Sequence, residues 1–193
     1  MGQCEVTQSQ YKAVMGSNPS TFKEDNNPVE TVSWKDAIKF CKRLSRKEGK
    51  TYTLPTEAQW EHACRAKSTT AFSFGNSKSG FGDYAWYLSN SSKKPHAVGQ
   101  KKPNDFGLYD MYGNVCEWCR DYHDINYYSK KTEIDPENTQ KSSNRAFHVF
   151  RGGSWRADPE YCRSAGRSRL CRGTRSSYAG FRVVLSVSSQ DFQ

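Results

Sequence analysis

Helical periodicity is confined to the first third of the chain, and this limits the folds that the sequence can adopt. Capping boxes, in which a hydroxyl residue is followed three positions later by Gln or Asp, predict helix starts at Thr7, Ser33 and Thr56. After Ala66 the pattern gives way to short extended pieces separated by Gly, Ser, Asn and Pro. Helices first and strands later, with no βαβ alternation, predict an α+β domain with an antiparallel sheet.

The predicted helices end near Met15, at Gly49 and at about Ala66. Apolar side chains recur at helical spacing along one face of the second helix. They are Trp34, Ala37, Ile38, Cys41 and Leu44. Three segments further along have the character of strands, namely 115–118, 147–150 and 181–185. The polar, turn-rich residues 121–144 are predicted to form a surface loop.

The length of 193 residues fits one domain. Hydrophobic residues make up 35% and aromatic residues 13% of the chain. Because each aromatic side chain buries a large area, this composition excludes a disordered protein. No apolar run approaches the ~20 residues of a membrane-spanning helix. The start is not an intact signal peptide, so we expect either a cytoplasmic protein or an exported one seen without its leader.

The formal net charge is +9. Such a balance favours acidic partners, including nucleic acid, glycans and anionic surfaces, although it also serves plain solubility. The last lysine is Lys141, whereas most arginines lie from Arg145 onward. The C-terminal part of the chain therefore has a composition of its own.

Five motifs follow one another along the chain. They are NPVETVSW at 27–34, LPTEAQWE at 54–61, GLYDM at 107–111 followed by GNV and EW, RGGSW at 151–155, and GFR at 180–182. In this order they resemble the formylglycine-generating-enzyme (sulfatase-modifying factor) domain family, from about Glu5 to Leu185. The resemblance implies one domain over 1–193 with a C-type-lectin-like fold. In that fold helices flank a small twisted antiparallel sheet, and long ordered loops leave much of the structure irregular.

Members of this family differ in function, so the fold does not settle the activity. Some oxidise a sulfatase cysteine to formylglycine, others are iron-dependent sulfoxide synthases, and others bind ligands. The last group includes the variable proteins of diversity-generating retroelements.

The oxidases of this family bind copper through two cysteines that lie five residues apart after the Gly-Gly-Ser motif. Two soft thiolates are needed to hold Cu(I). In this chain the corresponding positions are Ala157 and Cys162, so one thiol is missing. Cys171 lies off the pattern, and Cys162 is more simply read as a buried structural residue. Iron chemistry would need a cluster of histidines, and no ligand spacing relates His62, His96, His123 and His148.

Cys116 and Cys119 form a Cys-x-x-Cys sequence. Alone it would suggest a redox pair or half a zinc site, but no second pair has this spacing. On a strand the two thiols would point to opposite faces. The signal for a metal or redox site is therefore weak.

The resemblance also implies a structural calcium ion. In the family it is held by side chains at the positions of Asp110 and Glu117 and by carbonyls at the positions of Gly113 and Val115. Calcium accepts several oxygens in flexible geometry, which a turn entering a strand can supply. The alternative is that Asp110 caps a turn and Glu117 pairs with an arginine.

Residues 156–179, between the GGSW and GFR motifs, form a candidate variable ligand-binding segment. In retroelement variable proteins, template adenines are randomised on copying, mainly in asparagine codons. Such changes reach Arg, Ser, Gly, Asp, Tyr, Leu, Cys, Ala, Pro and Thr, but not Lys, Glu, Gln, Met or Trp. Only Glu160 in this segment lies outside the reachable set. The alternative is an ordinary polar loop with a basic bias.

Side chains of this segment are predicted to contact ligand. They are Arg156, Asp158, Tyr161, Gly166, Ser168, Arg169, Leu170, Arg172, Thr174, Ser176, Ser177 and Tyr178. Tyrosine and arginine make strong contacts at low entropic cost. The expected anchors are therefore Arg156, Tyr161, Arg169 and Tyr178. The expected scaffold residues beneath them are Arg151, Trp155 and Phe181.

We therefore predict a non-catalytic ligand-binding protein whose ligand is a protein or a glycan. A copper-dependent formylglycine-generating oxidase is the alternative. Nucleic-acid binding through the basic surface, with affinity falling steeply with salt, is a third option, although no specific nucleic acid is expected. By resemblance, we expect a monomer at the cell surface or outside the cell, with any membrane attachment through a lipid anchor outside this chain. A cytoplasmic location stays open.

Overall fold

The computed structural model describes residues 1–130, 134–141 and 146–186. Its helices are α1 (Gln8–Met15), α2 (Trp34–Glu48), α3 (Glu57–Arg65) and the one-turn α4 (Phe81–Tyr84). The three predicted capping boxes form, with Thr7, Ser33 and Thr56 as the N-caps. Each of these three helices ends in a left-handed residue, as expected for its C-cap. Within the described residues, no helix has the length and apolar character to cross a membrane.

The strands are short. They are β1 (Thr51–Thr53), β2 (Ala85–Trp86), β3 (Tyr112–Gly113), β4 (Cys116–Tyr122), β5 (Phe147–Arg151), β6 (Ser168–Cys171), β7 (Ala179–Gly180) and β8 (Val184–Ser186). Four of them form the central sheet in the order β6–β5–β4–β7, while β1–β8 and β2–β3 form separate pairs. β5 runs antiparallel to both β4 and β6, whereas β7 runs parallel to β4.

The α+β class is confirmed, and the strand predictions need adjustment. The central sheet is mixed, because the two-residue β7 joins β4 in parallel. β4 continues to Tyr122, and its polar Asp121 is buried with the carboxylate bonded to backbone N–H groups, which is why the sequence looked like a loop there. Of the predicted strand 181–185 only the end pairs, with β1. Of the predicted loop 121–144, residues 131–133 and 142–144 lie outside the described residues.

Two apolar clusters lie on opposite faces of the central sheet. Cys116 and Trp118 of β4 belong to the first, together with the buried face of α2. Cys119 belongs to the second, which packs against Trp60 of α3. The two thiols of the Cys-x-x-Cys sequence therefore point to opposite faces, as predicted.

A buried ion pair links the two ends of the chain to the sheet. Both carboxylate oxygens of Glu117 in β4 accept hydrogen bonds of 2.7 Å from Arg182, and one also accepts from Trp60 Nε1 at 2.8 Å. The same guanidinium donates to the carbonyls of Gly2 at 3.1 Å and Tyr109 at 2.9 Å. Neither side chain of the pair is exposed to solvent. The pair thus connects β4 to α3, to the N-terminal segment and to the chain that follows the core residue Phe181.

We expect Arg182→Met to lower the free energy of unfolding by about 3–5 kcal/mol, because it leaves the buried Glu117 carboxylate without its partner. Urea denaturation measures this change. Arg156→Ser, on an exposed side chain, is the control and should shift stability by no more than about 0.5 kcal/mol. The double variant Arg182→Met, Glu117→Leu should recover part of the loss, since the Glu117 carboxylate is then no longer buried without its arginine. An Arg182→Met protein as stable as the wild type would contradict this account.

Candidate ligand-binding groove

Residues 156–179 include the edge strand β6 and the first residue of β7. With the turn at 152–154 they line a cavity of about 340 Å³, called here the groove. Its lining consists of Cys116, Phe150, Gly152, Gly153, Ser154, Arg156, Ala157, Tyr161, Gly166, Ser168, Arg169, Leu170 and Tyr178. Cys116 and Phe150 belong to β4 and β5, so the sheet supplies part of the wall. Seven of the lining residues are predicted ligand contacts, and the volume falls in the range of small-ligand sites, about 300–1,000 Å³.

The buried side chain of Arg151 fixes the backbone of the segment at Ser164 and Gly166. Its side chain is buried at the end of β5, where Nη1 donates to the carbonyl of Gly166 at 2.6 Å and Nη2 to that of Ser164 at 2.9 Å. Nη2 also donates to the carboxylate of Glu61 on α3. A buried guanidinium with an acceptor for most of its donors fixes the path of the loop without needing regular structure.

The other two expected scaffold residues also support the segment. Trp155 Nε1 donates to the carbonyl of Ser177 at 3.1 Å, and the Trp155 carbonyl accepts from Ser91 Oγ at 2.6 Å. Phe181 is fully buried in the first apolar cluster. The segment is therefore tied at its start and anchored in the core at its end.

The four expected anchors all line the groove. The Arg156 guanidinium lies 5.1 Å from the ring centre of Tyr178, and that of Arg169 lies 5.0 Å from the ring centre of Phe147. Tyr161 is 73% exposed, which is unusual for a large ring in a folded domain. Arg156, Tyr161 and Tyr178 present cationic and aromatic surface at the groove, whereas the Arg169 side chain stacks on Phe147 on the other face of the sheet.

Five predicted contact residues lie outside the groove lining: Asp158, Arg172, Thr174, Ser176 and Ser177. Asp158 and Arg172 are exposed, whereas the other three are half-buried. The Ser176 carbonyl accepts from the Thr31 N–H at 2.9 Å, so this part of the backbone is attached to the scaffold. The structure brings together the predicted contacts from Arg156 to Leu170 except Asp158, and adds Tyr178, whereas the predicted contacts in 172–177 lie outside the groove.

Gly166 lines the groove but has no room to vary. A Cβ atom added there would lie 2.9 Å from the carbonyl oxygen of Arg163 and 3.0 Å from that of Tyr161, both of them backbone atoms. Its own carbonyl is the one held by Arg151. Gly166 therefore shapes the groove rather than offering a replaceable contact.

Sequence reasoning missed the residues of the sheet and the turn that form the groove wall. Phe150 and Cys116 come from strands, so only the tertiary structure places them beside 156–179. It also missed a larger polar cleft of about 610 Å³ between residues 18–27 and 94–100, of which only Asn27 belongs to one of the five motifs. β6 was missed because its sequence, Ser-Arg-Leu-Cys, lacks the alternation of a half-buried strand.

The cysteines near the groove are poor nucleophiles and poor metal ligands as placed. Cys162, in a short 3-10 helix rather than a strand, is fully buried, and burial raises the pKa of its thiol to about 12. Burial also raises the pKa of the Cys116 thiol well above its usual value. The thiolate is the reactive form of cysteine. Ala157, at the other family copper position, lines the groove without a sulfur.

Each of the two side chains of the implied calcium site already accepts hydrogen bonds within the protein. Both oxygens of Glu117 already accept hydrogen bonds from Arg182 and Trp60, which is the arginine pairing considered above. Asp110 is buried, which raises its pKa to about 6, and one of its oxygens accepts from Gly99 N–H at 2.7 Å. No group of three or more His, Cys, Asp or Glu side chains among the described residues could hold a metal ion. Calcium binding stays a prediction.

Known structures resemble this one over nearly its whole length. Treponema denticola variable protein 1 superposes with a TM-score of 0.87 at 34% identity, covering 93% of this chain and 81% of that one. PvdO from Pseudomonas aeruginosa superposes with a TM-score of 0.85 at 25% identity, covering 96% of this chain and 79% of that one. The C-type-lectin-like fold of this family is therefore confirmed.

Curated relatives include proteins of more than one kind. The chaperone protein LppX of Paenibacillus barcinonensis is 32% identical over 80% of this chain, and the formylglycine-generating enzyme of Thermomonospora curvata is 30% identical over 90% of it. The chain spans 68% of the first relative and 60% of the second. Residues 1–187 match the family described as the sulfatase-modifying factor enzyme 1-like domain. The resemblance drawn from the five motifs is confirmed, and the chain belongs to the sulfatase-modifying factor enzyme 1-like domain family.

Proposed function

We propose that this protein is a non-catalytic ligand-binding protein and that the groove is its ligand site, formed by a segment open to diversification. The single observation that carries the proposal is that the residues supporting the groove are distinct from those exposed around it. Arg151, Gly166 and Cys162 are buried or enclosed, whereas Arg156, Tyr161 and Arg169 are exposed around a cavity. The exposed residues can therefore change while the buried residues keep the groove in shape.

The likeness to Treponema denticola variable protein 1, at 34% identity, supports this proposal. The absence of a thiol at Ala157 argues against the oxidase, because a single buried Cys162 cannot supply two thiolates for Cu(I). Relatives that are formylglycine-generating enzymes, at about 30% identity, are the reason to test the oxidase directly. A monomer at the cell surface or outside the cell, with a protein or a glycan as its ligand, is part of the same proposal.

The exposed residues Arg156, Tyr161 and Arg169, called here the rim, should tolerate substitutions that the buried Arg151 beneath the groove, its support, does not. We expect the triple variant Arg156→Ser, Tyr161→Ser, Arg169→Ser to lose no more than about 1.5 kcal/mol of unfolding free energy, since exposed changes cost little. Arg151→Met should cost more than about 2 kcal/mol, because the buried carbonyls of Gly166 and Ser164 lose their donor. Urea denaturation of both variants measures the difference. Equal losses would contradict the division between rim and support.

The gene should carry the trace of diversification. We expect the DNA that encodes 156–179 to have a near-copy close to the gene, differing from it only at positions where the copy has adenine, beside a reverse-transcriptase gene. Sequencing the end of the gene and its surrounding locus measures this directly. A locus without such a copy would contradict diversification while leaving a fixed ligand site possible.

The oxidase alternative predicts copper-dependent turnover, whereas the non-catalytic proposal predicts none. We therefore expect that the purified protein, loaded with copper and given a sulfatase-type cysteine peptide and oxygen, leaves the peptide unchanged, as measured by mass spectrometry. Cys162→Ser should behave in the same way. Conversion of the peptide to formylglycine by the wild type, abolished in Cys162→Ser, would overturn the non-catalytic proposal.

A further inference from the structure

β6 forms the exposed edge of the central sheet. The strand order places β5 on one side of it, and among the described residues no strand pairs with its other side. Ser168 and Arg169 are exposed there, whereas the two-residue β7 at the opposite edge is buried. β6 is therefore the edge of this sheet that solvent reaches.

The register of β6 shows which of its backbone groups face outward. β5 and β6 are antiparallel, and the N–H of Arg172, just beyond β6, donates to the carbonyl of Ala146 at 3.0 Å. In an antiparallel ladder, hydrogen-bonded pairs of residues alternate with pairs that exchange no hydrogen bond. The residues two and four positions before Arg172 therefore bond to β5. The N–H and C=O groups of Arg169 and Cys171 point away from it.

Three of these four outward groups have no partner in the described part of the chain. The carbonyl of Cys171 accepts from the N–H of Thr174 at 2.9 Å. Within residues 1–130, 134–141 and 146–186, the N–H and C=O of Arg169 and the N–H of Cys171 take part in no hydrogen bond. Two donors and one acceptor along one edge match the backbone of a further strand.

The usual means of blocking such an edge are missing from β6. Proline, lysine and bulges keep exposed edges from pairing in many proteins. β6 has the sequence Ser-Arg-Leu-Cys, and its register with β5 is continuous over four residue pairs. The charged side chain of Arg169 is turned back over the sheet, because its guanidinium lies 5.0 Å from the ring centre of Phe147 on β5. This side chain therefore leaves the outward backbone groups open.

The same strand forms one wall of the groove. Ser168 and Leu170 line the cavity together with Phe150, which shares an apolar cluster with Leu170. The side chains of an added strand would alternate between the two faces of the sheet. Every second one would lie next to β6 on the groove face. An apolar side chain there would cover the half-buried Leu170.

The charge of β6 argues against a second copy of this chain as the added strand. Two β6 strands paired through their outward groups would carry both Arg169 side chains on the same face of one sheet, where like charges weaken the pairing. We propose that the open edge of β6 pairs with an extended segment of a partner protein, which places an apolar side chain beside Leu170. This inference rests on the proposed function, because it names the kind of partner that the same groove receives.

The test uses a synthetic dodecapeptide selected from a random phage library on the wild-type protein, with its affinity measured by fluorescence anisotropy. Cys171→Pro and Cys171→Ser form a matched pair, since only the serine keeps the outward N–H. Arg169→Pro and Arg169→Ser form a second pair. Within each pair the proline variant should bind the peptide at least tenfold more weakly, because a carbonyl of the added strand loses its donor.

The proline variants should keep their fold. The outward N–H groups make no bond to β5, so each proline variant should unfold at the same urea concentration as its serine partner. Leu170→Pro removes an N–H that bonds to β5 and should unfold at a lower urea concentration.

Two measurements on the unaltered protein locate the added strand. An N-methyl group moved along the peptide should weaken binding only at alternate residues, because successive N–H groups of a strand point to opposite sides. Bound peptide should slow hydrogen exchange of the Arg169 and Cys171 amides at least tenfold, as measured by NMR. The Leu170 amide, already bonded to β5, should hardly change.

Equal affinities within both proline–serine pairs, or unchanged exchange of both outward amides, would overturn strand addition while leaving the groove as a ligand site. Failure to select any peptide would overturn it as well. A wild-type dimer in analytical ultracentrifugation that Cys171→Pro abolishes would replace the partner protein by a second copy of this chain. The proposed function itself stands or falls on the gene locus and the rim variants.

Discussion

The buried pair of Glu117 and Arg182 is the interaction on which the rest of the structure depends. Its carboxylate sits in the longest strand, and its guanidinium reaches the carbonyls of Gly2 and Tyr109. In a fold with short strands and long loops, backbone groups find fewer partners in regular ladders, so side chains must satisfy them. A fully buried arginine with several acceptors does so for distant segments at once.

Arginine serves two opposite purposes in this protein, and its surroundings decide which. Arg151 and Arg182 are buried, and their donors are used on carboxylates and carbonyls that define the fold. Arg156 and Arg169 lie on aromatic rings, and within the described residues their guanidinium groups donate no hydrogen bond. The buried arginines make the loops rigid, and the exposed arginines leave guanidinium groups on the loop surface that a ligand can reach. A rigid loop with free donors binds at a lower entropic cost than a mobile one.

The sequence predicted what local signals determine. Capping boxes gave the starts of α1, α2 and α3, because the cap and its partner lie three residues apart. It could not predict that Phe150 would form a groove wall with Leu170, because only the pairing of β5 with β6 brings them together. It also could not show that Gly166 is crowded by backbone, since its residue type equally suits a replaceable position. The pairing of Glu117 with Arg182 likewise depends on tertiary structure, because the two residues lie far apart in the sequence.

The packing beneath the segment limits which of its residues can change. A Cβ atom added at Gly153 would lie 2.2 Å from the Cys162 sulfur, so these two positions are already in close contact. A bulkier side chain at position 162 would therefore clash with the backbone at Gly153. Ser164 and Ala179 are also buried. Under the proposed diversification, variety must therefore come from exposed positions such as Tyr161, and the number of distinct surfaces grows with those positions rather than with the length of the segment.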